Sequence, residues 1–487
     1  MSKKKSPPRR PGRQKRIRLE KGQRRRLRVG GPPRRVVTPR SALAGIGWPA
    51  VPPTMESAVL ALNYQFEQSQ WWPPGTIEAL QLRQAEQLLA HAWRTVPFYR
   101  DRLAPLTGLK RGQLTMEAWR RIPILTRTDI QDAGHDLVSR ALPRGHGTAR
   151  DASTSGSTGQ PVWFKRTRVT GLFFAALNLR YHLWHGRDFS AKSAKIGRLS
   201  DPNAVEEPHN WVPGHVSGPM VQLDFSKSVE EQLAWLQRFA PQYLLTFPSN
   251  LRALLQGSVE TGINIPSLRE VATMSEVLEP DLRVKCRRIW GLPVTDVYSA
   301  HEVGMIAIQC PEHPHYHVQA ESVLVEVLND HGEPCRPGES GRVVVTDLHN
   351  FSSPLIRYDI NDIAIPGGPC SCGRGLAVIK SILGRIRNAL TLPSGEKVWP
   401  AYHFIFDDAL GKSLPSLREA QLVQRKLDEI EVRIVATRPV TAEEEARARK
   451  ALGKAISDAF AFRFVYVDDL PRPPSGKLQV VLSELGD

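Results

Sequence analysis

The sequence predicts an α/β protein with a large N-terminal α/β domain and a small C-terminal α+β domain. Three observations carry this expectation. At 487 residues the chain is too long for one ordinary core, so two domains are expected. Between about residues 150 and 365, short apolar runs (243–247, 270–274, 294–298) alternate with helical stretches such as 228–239, the pattern of α/β layers. The last hundred or so residues instead read strand, strand, helix, strand.

In order, residues 76–95 form an apolar stripe through Leu80, Ala85, Leu88, Leu89 and Ala92 and predict a helix. Segments 322–328 and 341–347 read as strands about the turn Asp330-His331-Gly332. In the C-terminal part, 421–425 and 430–435 alternate as strands. Thr441 and Glu444 spell a capping box that opens a helix expected to run through Leu452, Ile456 and Phe460. A third strand follows at 462–467. The expected division is a basic tail over 1–45, a large domain over 46–384 and a small domain over 385–487.

Charge is concentrated at one end. Residues 1–40 hold seventeen Lys/Arg against Glu20 alone, a net +16, while the whole chain is +17, leaving a nearly neutral body. The prolines among those arginines predict disorder. Such a tail suits a polyanion, whether nucleic acid or anionic lipid, or serves only as a solubilising extension. No apolar core follows it as in a secretory signal, and no run approaches the roughly 18 apolar residues of a membrane span. Five cysteines, an odd and sparse number, point to a reducing cytoplasm and away from a disulfide framework.

The strongest local motif is Thr154-Ser155-Gly156-Ser157-Thr158-Gly159, followed by Gln160-Pro161. Two glycines among hydroxyl residues make a tight loop whose N–H and O–H groups can converge on phosphate oxygens. The lysine and spacing of the GxxxxGK[ST] loop are absent. Downstream come Tyr298-Ser299-Ala300-His301-Glu302-Val303-Gly304, then 356–362 (Ile-Arg-Tyr-Asp-Ile-Asn-Asp), Gly384-Arg385, and Pro473-Pro474-Ser475-Gly476-Lys477. Six residues separate Cys310 from His317, and Cys370-x-Cys372 follows; three thiolates and one imidazole suit tetrahedral Zn²⁺, with His313 or His315 as alternatives to His317.

As an ordered series these motifs resemble the adenylate-forming superfamily of acyl-CoA synthetases, adenylation domains and luciferases. The segments Val96-Pro97-Phe98-Tyr99, Cys310-Pro311-Glu312-His313 and Pro369-Cys370-Ser371-Cys372-Gly373-Arg374 resemble its phenylacetate–CoA ligase and capsule-biosynthesis branch. The resemblance implies ATP-dependent activation of a carboxylic acid to an acyl-adenylate, then transfer to coenzyme A, with a mobile C-terminal lid. It places the loop from Thr154 to Gly159 on the β- and γ-phosphates, Ser275, Glu276 and Tyr298 at the adenine, and Ser299 among the nucleotide-binding residues. It puts Asp362 on the ribose, with Arg385 beside the nucleotide. Glu302 would hold Mg²⁺, His301 would face the α-phosphate, and Lys477 would reach the carboxylate and α-phosphate. Cys310, His317, Cys370 and Cys372 would hold a structural zinc.

Some positions depart from the family pattern. Gln160 stands where a lysine is common, His301 where Thr or Ser is usual, and Arg387-Asn388 where an Asp pair is usual. The acid is not legible; Trp184, Trp211 and Phe247 are candidate pocket aromatics. Two other readings stay open: an amide ligase using an amine acceptor, and an inactive scaffold that binds polyanions through the tail.

Overall fold

The structure, a computed structural model, describes residues 43–46, 49, 55–106, 108, 110–154, 161–199, 201, 209–211, 218–385, 388–400, 403–470 and 480–485. Nearly all of the expected basic tail, the phosphate-loop positions 155–160, the hinge position Arg387 and Lys477 lie outside these residues.

Helix α1 (Met55–Ser69) leads into α2 (Pro74–Thr95), which starts on Pro74, a residue pre-set for the first helical turn. It buries Ile77, Leu82, Ala85, Leu88, Leu89 and Ala92, close to the stripe read from the sequence. Short helices α3 (Tyr99–Arg102), α4 (Met116–Arg120) and α5 (Arg127–Ala133) follow; a Thr126–Asp129 capping box opens the last. A hairpin of β1 (Arg150–Ser153) and β2 (Trp163–Arg166) flanks residues 155–160 in the chain and feeds α6 (Arg168–Trp184).

One twelve-stranded sheet organises the rest of the large domain. Its strands are β3 (Ser193–Gly197), β4 (His209–Asn210), β5 (Pro219–Asp224), β6 (Tyr243–Thr246), β7 (Glu270–Met274), β8 (Val294–Ala300), β9 (Gly304–Gln309), β10 (Tyr316–Val318), β11 (Val323–Leu328), β12 (Gly341–Asp347), β13 (Tyr358–Pro366) and β14 (Val378–Arg385). Their spatial order is β11-β12-β13-β14-β10-β9-β8-β7-β6-β3-β5-β4. The β5-β3-β6-β7-β8 stretch is parallel, and from β8 to β11 every pairing is antiparallel. Helices α7 (Val229–Phe239), α8 (Pro248–Thr261) and α9 (Pro280–Trp290) connect the parallel strands, so those strands are buried and read as continuous apolar runs. Ser228 caps α7 instead of belonging to it, through a capping box with Glu231. Likewise Phe247 leaves β6 to cap α8, where Pro248 takes the first turn. Strand β8 runs two residues beyond the predicted Tyr298, and Ala300 pairs with Gly304, which puts Glu302 in a tight turn.

The C-terminal part has its own core. After a short hairpin, β15 (Leu390–Thr391) with β16 (Lys397–Val398), come a π-helical segment (His403–Gly411), β17 (Leu417–Lys426), β18 (Glu429–Ala436), α10 (Ala442–Ala455), β19 (Ala461–Tyr466) and β20 (Val481–Ser483). The four longer strands form a sheet ordered β19-β18-β17-β20. Ile405, Leu410, Leu422, Ile430, Val432, Leu452 and Phe462 fill its core. The expected order strand, strand, helix, strand is present, but α10 stops at Ala455 before Ile456 and Phe460. The chain folds back there: a Cβ on Gly453 would lie 2.4 Å from Asp458 Oδ1. Phe460 is still buried, as part of the turn into β19. Among the described residues no helix is long and apolar enough to cross a membrane.

Candidate active site

A cleft of about 3210 Å³ opens at the carboxyl ends of β6, β7 and β8, the usual place for ligands on a parallel sheet. It is several times larger than one small ligand needs. Its lining comes from the β1–β2 hairpin, α6, the ends of β7 and β8, β13 and β14, and from the small domain Leu417, Arg418 and Val481.

One wall carries a hydrogen-bonded pair. Tyr298 Oη donates to Asp362 Oδ2 at 2.8 Å, and Arg385 Nε lies 3.7 Å from Asp362 Oδ1. The sheet sets this up, because Asp362 of β13 is in register with Arg385 of β14. Burial pushes the Asp362 carboxyl up, opposed by the Arg385 charge and the Tyr298 hydroxyl. Burial, reinforced by Asp362, raises the Tyr298 phenol well above its ordinary value. Ser299 follows at a bulge, half-buried.

A second group centres on Glu302, a buried carboxylate in the β8–β9 turn. Thr154 extends the β1–β2 hairpin by one pair: its N–H donates to the Val162 carbonyl at 2.9 Å, and its Oγ1 accepts from the Val162 N–H at 3.0 Å. Arg127 links the two. Its Nη2 donates to Thr154 Oγ1 at 3.3 Å, and its Nη1 lies 4.0 Å from Glu302 Oε1. Tyr358 Oη reaches the same Glu302 oxygen at 3.5 Å. His301 is exposed, with its ring edge-on to Phe164 at 6.2 Å. Desolvation of the ring by its surroundings, and then the nearby Arg166 guanidinium, lower its pKa.

Ser275 and Glu276 leave β7 at the cleft. Ser275 sits at φ 71, in the left-handed region that a non-glycine residue enters at a cost, a strain that clusters at functional sites. Glu276 accepts from the Ser249 N–H at 2.9 Å and from Ser249 Oγ at 3.1 Å, at the start of α8. Thus Thr154, Ser275, Glu276, Tyr298, Ser299, His301, Glu302, Asp362 and Arg385 meet on one cleft. Arg127 and Arg166 belong there too and were missed, since neither lies in a motif and the chain has 66 Lys/Arg. Of the three aromatics considered for an acid pocket, only Phe247 lines the cleft. Trp211 is core, packed on Phe189, His182 and Tyr243, and Trp184 packs on Arg374 and His317.

Beneath the cleft Asp296 is almost wholly buried, accepting from Thr273 Oγ1 at 2.5 Å and Tyr316 Oη at 2.6 Å. Burial pushes its carboxyl from 3.8 up to about 6. As pH rises between those values the unfolded chain ionises first, so the folded state loses stability across that window and the full penalty stands above it. The stability gap between Asp296→Asn and the native protein should therefore move in favour of Asn by about 2–3 kcal/mol from pH 4 to pH 7. Urea midpoints at several pH values measure it.

A separate group lies on the opposite end of β9. Cys310 directly follows that strand, His317 is in β10, and Cys370 and Cys372 occupy the turn between β13 and β14. Because β10 pairs with both β9 and β14, the four donor atoms come within 4.8 Å of one another and form a group that can hold a metal ion. Cys310 Sγ is 4.0 Å from Cys370 Sγ, and His317 Nε2 is 3.3 Å from Cys372 Sγ. Bonds of about 2.0–2.3 Å to a tetrahedral zinc put ligand atoms some 3.3–3.8 Å apart, so the set fits such an ion with slight contraction. His317 supplies the imidazole. His315 Nε2 lies 3.0 Å from Cys370 Sγ, outside the four, and His313 bonds Ser371 Oγ.

Comparison with known proteins agrees with this architecture. Residues 403–484 match the family model described as the CapK C-terminal domain. The phenylacetate–coenzyme A ligase of Thermus thermophilus is 27% identical over 384 residues, 75% of this chain and 83% of the relative. The enzyme of the same name from Pseudomonas putida is 24% identical, covering 74% and 82%. A solved 2-hydroxyisobutyryl-CoA ligase in its postadenylation state superposes with a TM-score of 0.68 over 86% of this chain and 92% of that one, at 19% identity. The fold is that of the adenylate-forming acyl-CoA ligases. The cleft lies where the β1–β2 hairpin, the Tyr298–Glu302 segment and Asp362 converge.

Proposed function

We propose that the chain activates a carboxylic acid with MgATP, forming an acyl-adenylate, and then passes the acyl group to coenzyme A. The observation that carries this reading is the convergence of Thr154, of Tyr298 with Glu302, and of Asp362, from three separate stretches, on one cleft. In the first step a carboxylate oxygen attacks the α-phosphorus, and the bond to pyrophosphate breaks. In the second the thiol sulfur attacks the acyl carbonyl, its proton is released, and AMP leaves. Tyr298, Ser275, Glu276 and Ser299 would receive the adenine. Asp362, which keeps acceptor capacity beyond Tyr298, would accept from the ribose hydroxyls, with Arg385 alongside. The hydroxyls and N–H groups from Thr154 to Gly159, with Arg127 behind them, would bind the phosphates. Glu302 would hold Mg²⁺, which offsets phosphate charge. His301 would donate toward the α-phosphate, and Lys477 would face the charge that develops there. Residues 385–487 would act as a lid turning near Arg385, and the enzyme would work in the cytoplasm.

Cys310, His317, Cys370 and Cys372 would bind a structural zinc. Four protein ligands leave no open position, so the ion would clamp β9, β10 and the β13–β14 turn and take no part in the reaction.

Acid-dependent release of AMP and pyrophosphate, with a thioester detected by mass, tests the overall reaction; release of ADP and phosphate contradicts it. Tyr298→Phe removes the hydrogen bond to Asp362, a contact worth about 1 kcal/mol, and should raise KM for ATP roughly 3–10-fold with kcat nearly held. Steady-state kinetics at saturating acid read the split.

A further inference from the structure

Helix α6 turns toward the cleft a face that its own packing does not explain. Gly171 lies inside this 17-residue helix, where alanine is the better residue. Its backbone has no positive φ, and among the described residues a Cβ added there meets no atom within 4 Å, so neither its conformation nor its packing against those residues demands glycine. One turn on, Phe174 leaves 50% of its surface exposed on the same wall. A Cβ on Gly304, two residues past Glu302, would lie 3.7 Å from Phe174 Cδ2. A trough thus runs from beside Glu302, past the Phe174 ring, to bare backbone at Gly171 about 4.5 Å further along the helix axis. The buried neighbours Phe173 and Leu177 make its floor apolar.

We infer that Gly171 and Phe174 select the acid by size: the trough takes the acyl part of an extended apolar carboxylic acid. Phe174 packs against the portion nearer the carboxylate, and the missing side chain at Gly171 leaves room for the distal portion. This inference rests on the acid activation proposed above. An uncharged substituent suits it, because charge against an apolar floor would be desolvated without a partner.

The test uses the full chain in ATP–pyrophosphate exchange with acetate, phenylacetate, 4-phenylbutyrate and decanoate. Wild type should favour the two extended acids over acetate. Gly171→Leu, with a Tm no lower than wild type because leucine is the better helix former, should lower the ratio of kcat/KM for decanoate over phenylacetate at least tenfold. Phe174→Ala should raise KM for the three apolar acids with kcat held. An unchanged ranking in folded Gly171→Leu, or an equal loss with every acid, overturns the inference while leaving the activity standing. No exchange by wild type with any acid overturns the proposed activity and this inference with it.

Discussion

Lys477→Ala should slow acyl-adenylate formation by roughly 10²–10³-fold, the scale for removing one donor aimed at transition-state charge. Lys477 ends a Pro-Ser-Gly-Lys stretch far in sequence from Thr154 and Glu302, and its neighbours on both sides, β19 and β20, belong to the small sheet. A lysine whose segment joins two strands of a separate sheet would be able to serve one half-reaction and leave before the next. The same variant, given preformed acyl-adenylate and coenzyme A, should therefore transfer the acyl group at near wild-type rate. Glu302→Gln should also slow adenylation, through the phosphates. Single-turnover assays of each half-reaction check both. Equal loss in the two half-reactions of folded Lys477→Ala would remove the division of labour.

Loss of the proposed zinc should produce the second large effect. Without an ion, three thiols and His317 crowd within 4.8 Å, and burial pushes the Cys370 thiol up to about 12. A zinc ion would satisfy all four donors at once. Purified protein should contain about one Zn²⁺ per chain. Cys370→Ser should lose it and lower Tm by about 5–10 °C, while the surviving folded fraction adenylates at close to the wild-type rate. The strands joined there carry the cleft indirectly: β9 begins at Gly304 beside Glu302 and ends beside Cys310, and β14 ends at Arg385. Metal analysis showing no zinc in carefully prepared wild type would overturn the assignment.

Much of this was legible in the sequence because the signals were local. Buried parallel strands such as Glu270–Met274 are continuous apolar runs, and capping boxes at Ser228 and Thr441 mark helix starts. Tyr298, Glu302 and Asp362 sit in contiguous motifs. What was missed depends on pairing between distant segments. Arg127 gains meaning only because α5 packs near β13 and Thr154, and nothing in its neighbours announces that. Which of His313, His315 and His317 falls among the clustered donors depends on β10, whose pairing with β9 and β14 buries His317 completely beside the cysteines. The end of α10 was misjudged because apolar spacing continues through Ile456 and Phe460, while the contact between Gly453 and Asp458 that turns the chain leaves no periodic trace.

The most direct test of the central claim is ATP–pyrophosphate exchange in the absence of coenzyme A, across a panel of carboxylic acids. The reading predicts exchange that needs both an acid and Mg²⁺, and that falls about 10²–10³-fold in Lys477→Ala. Exchange that is absent with every acid in folded, zinc-containing protein, or that proceeds equally well without acid, would contradict it.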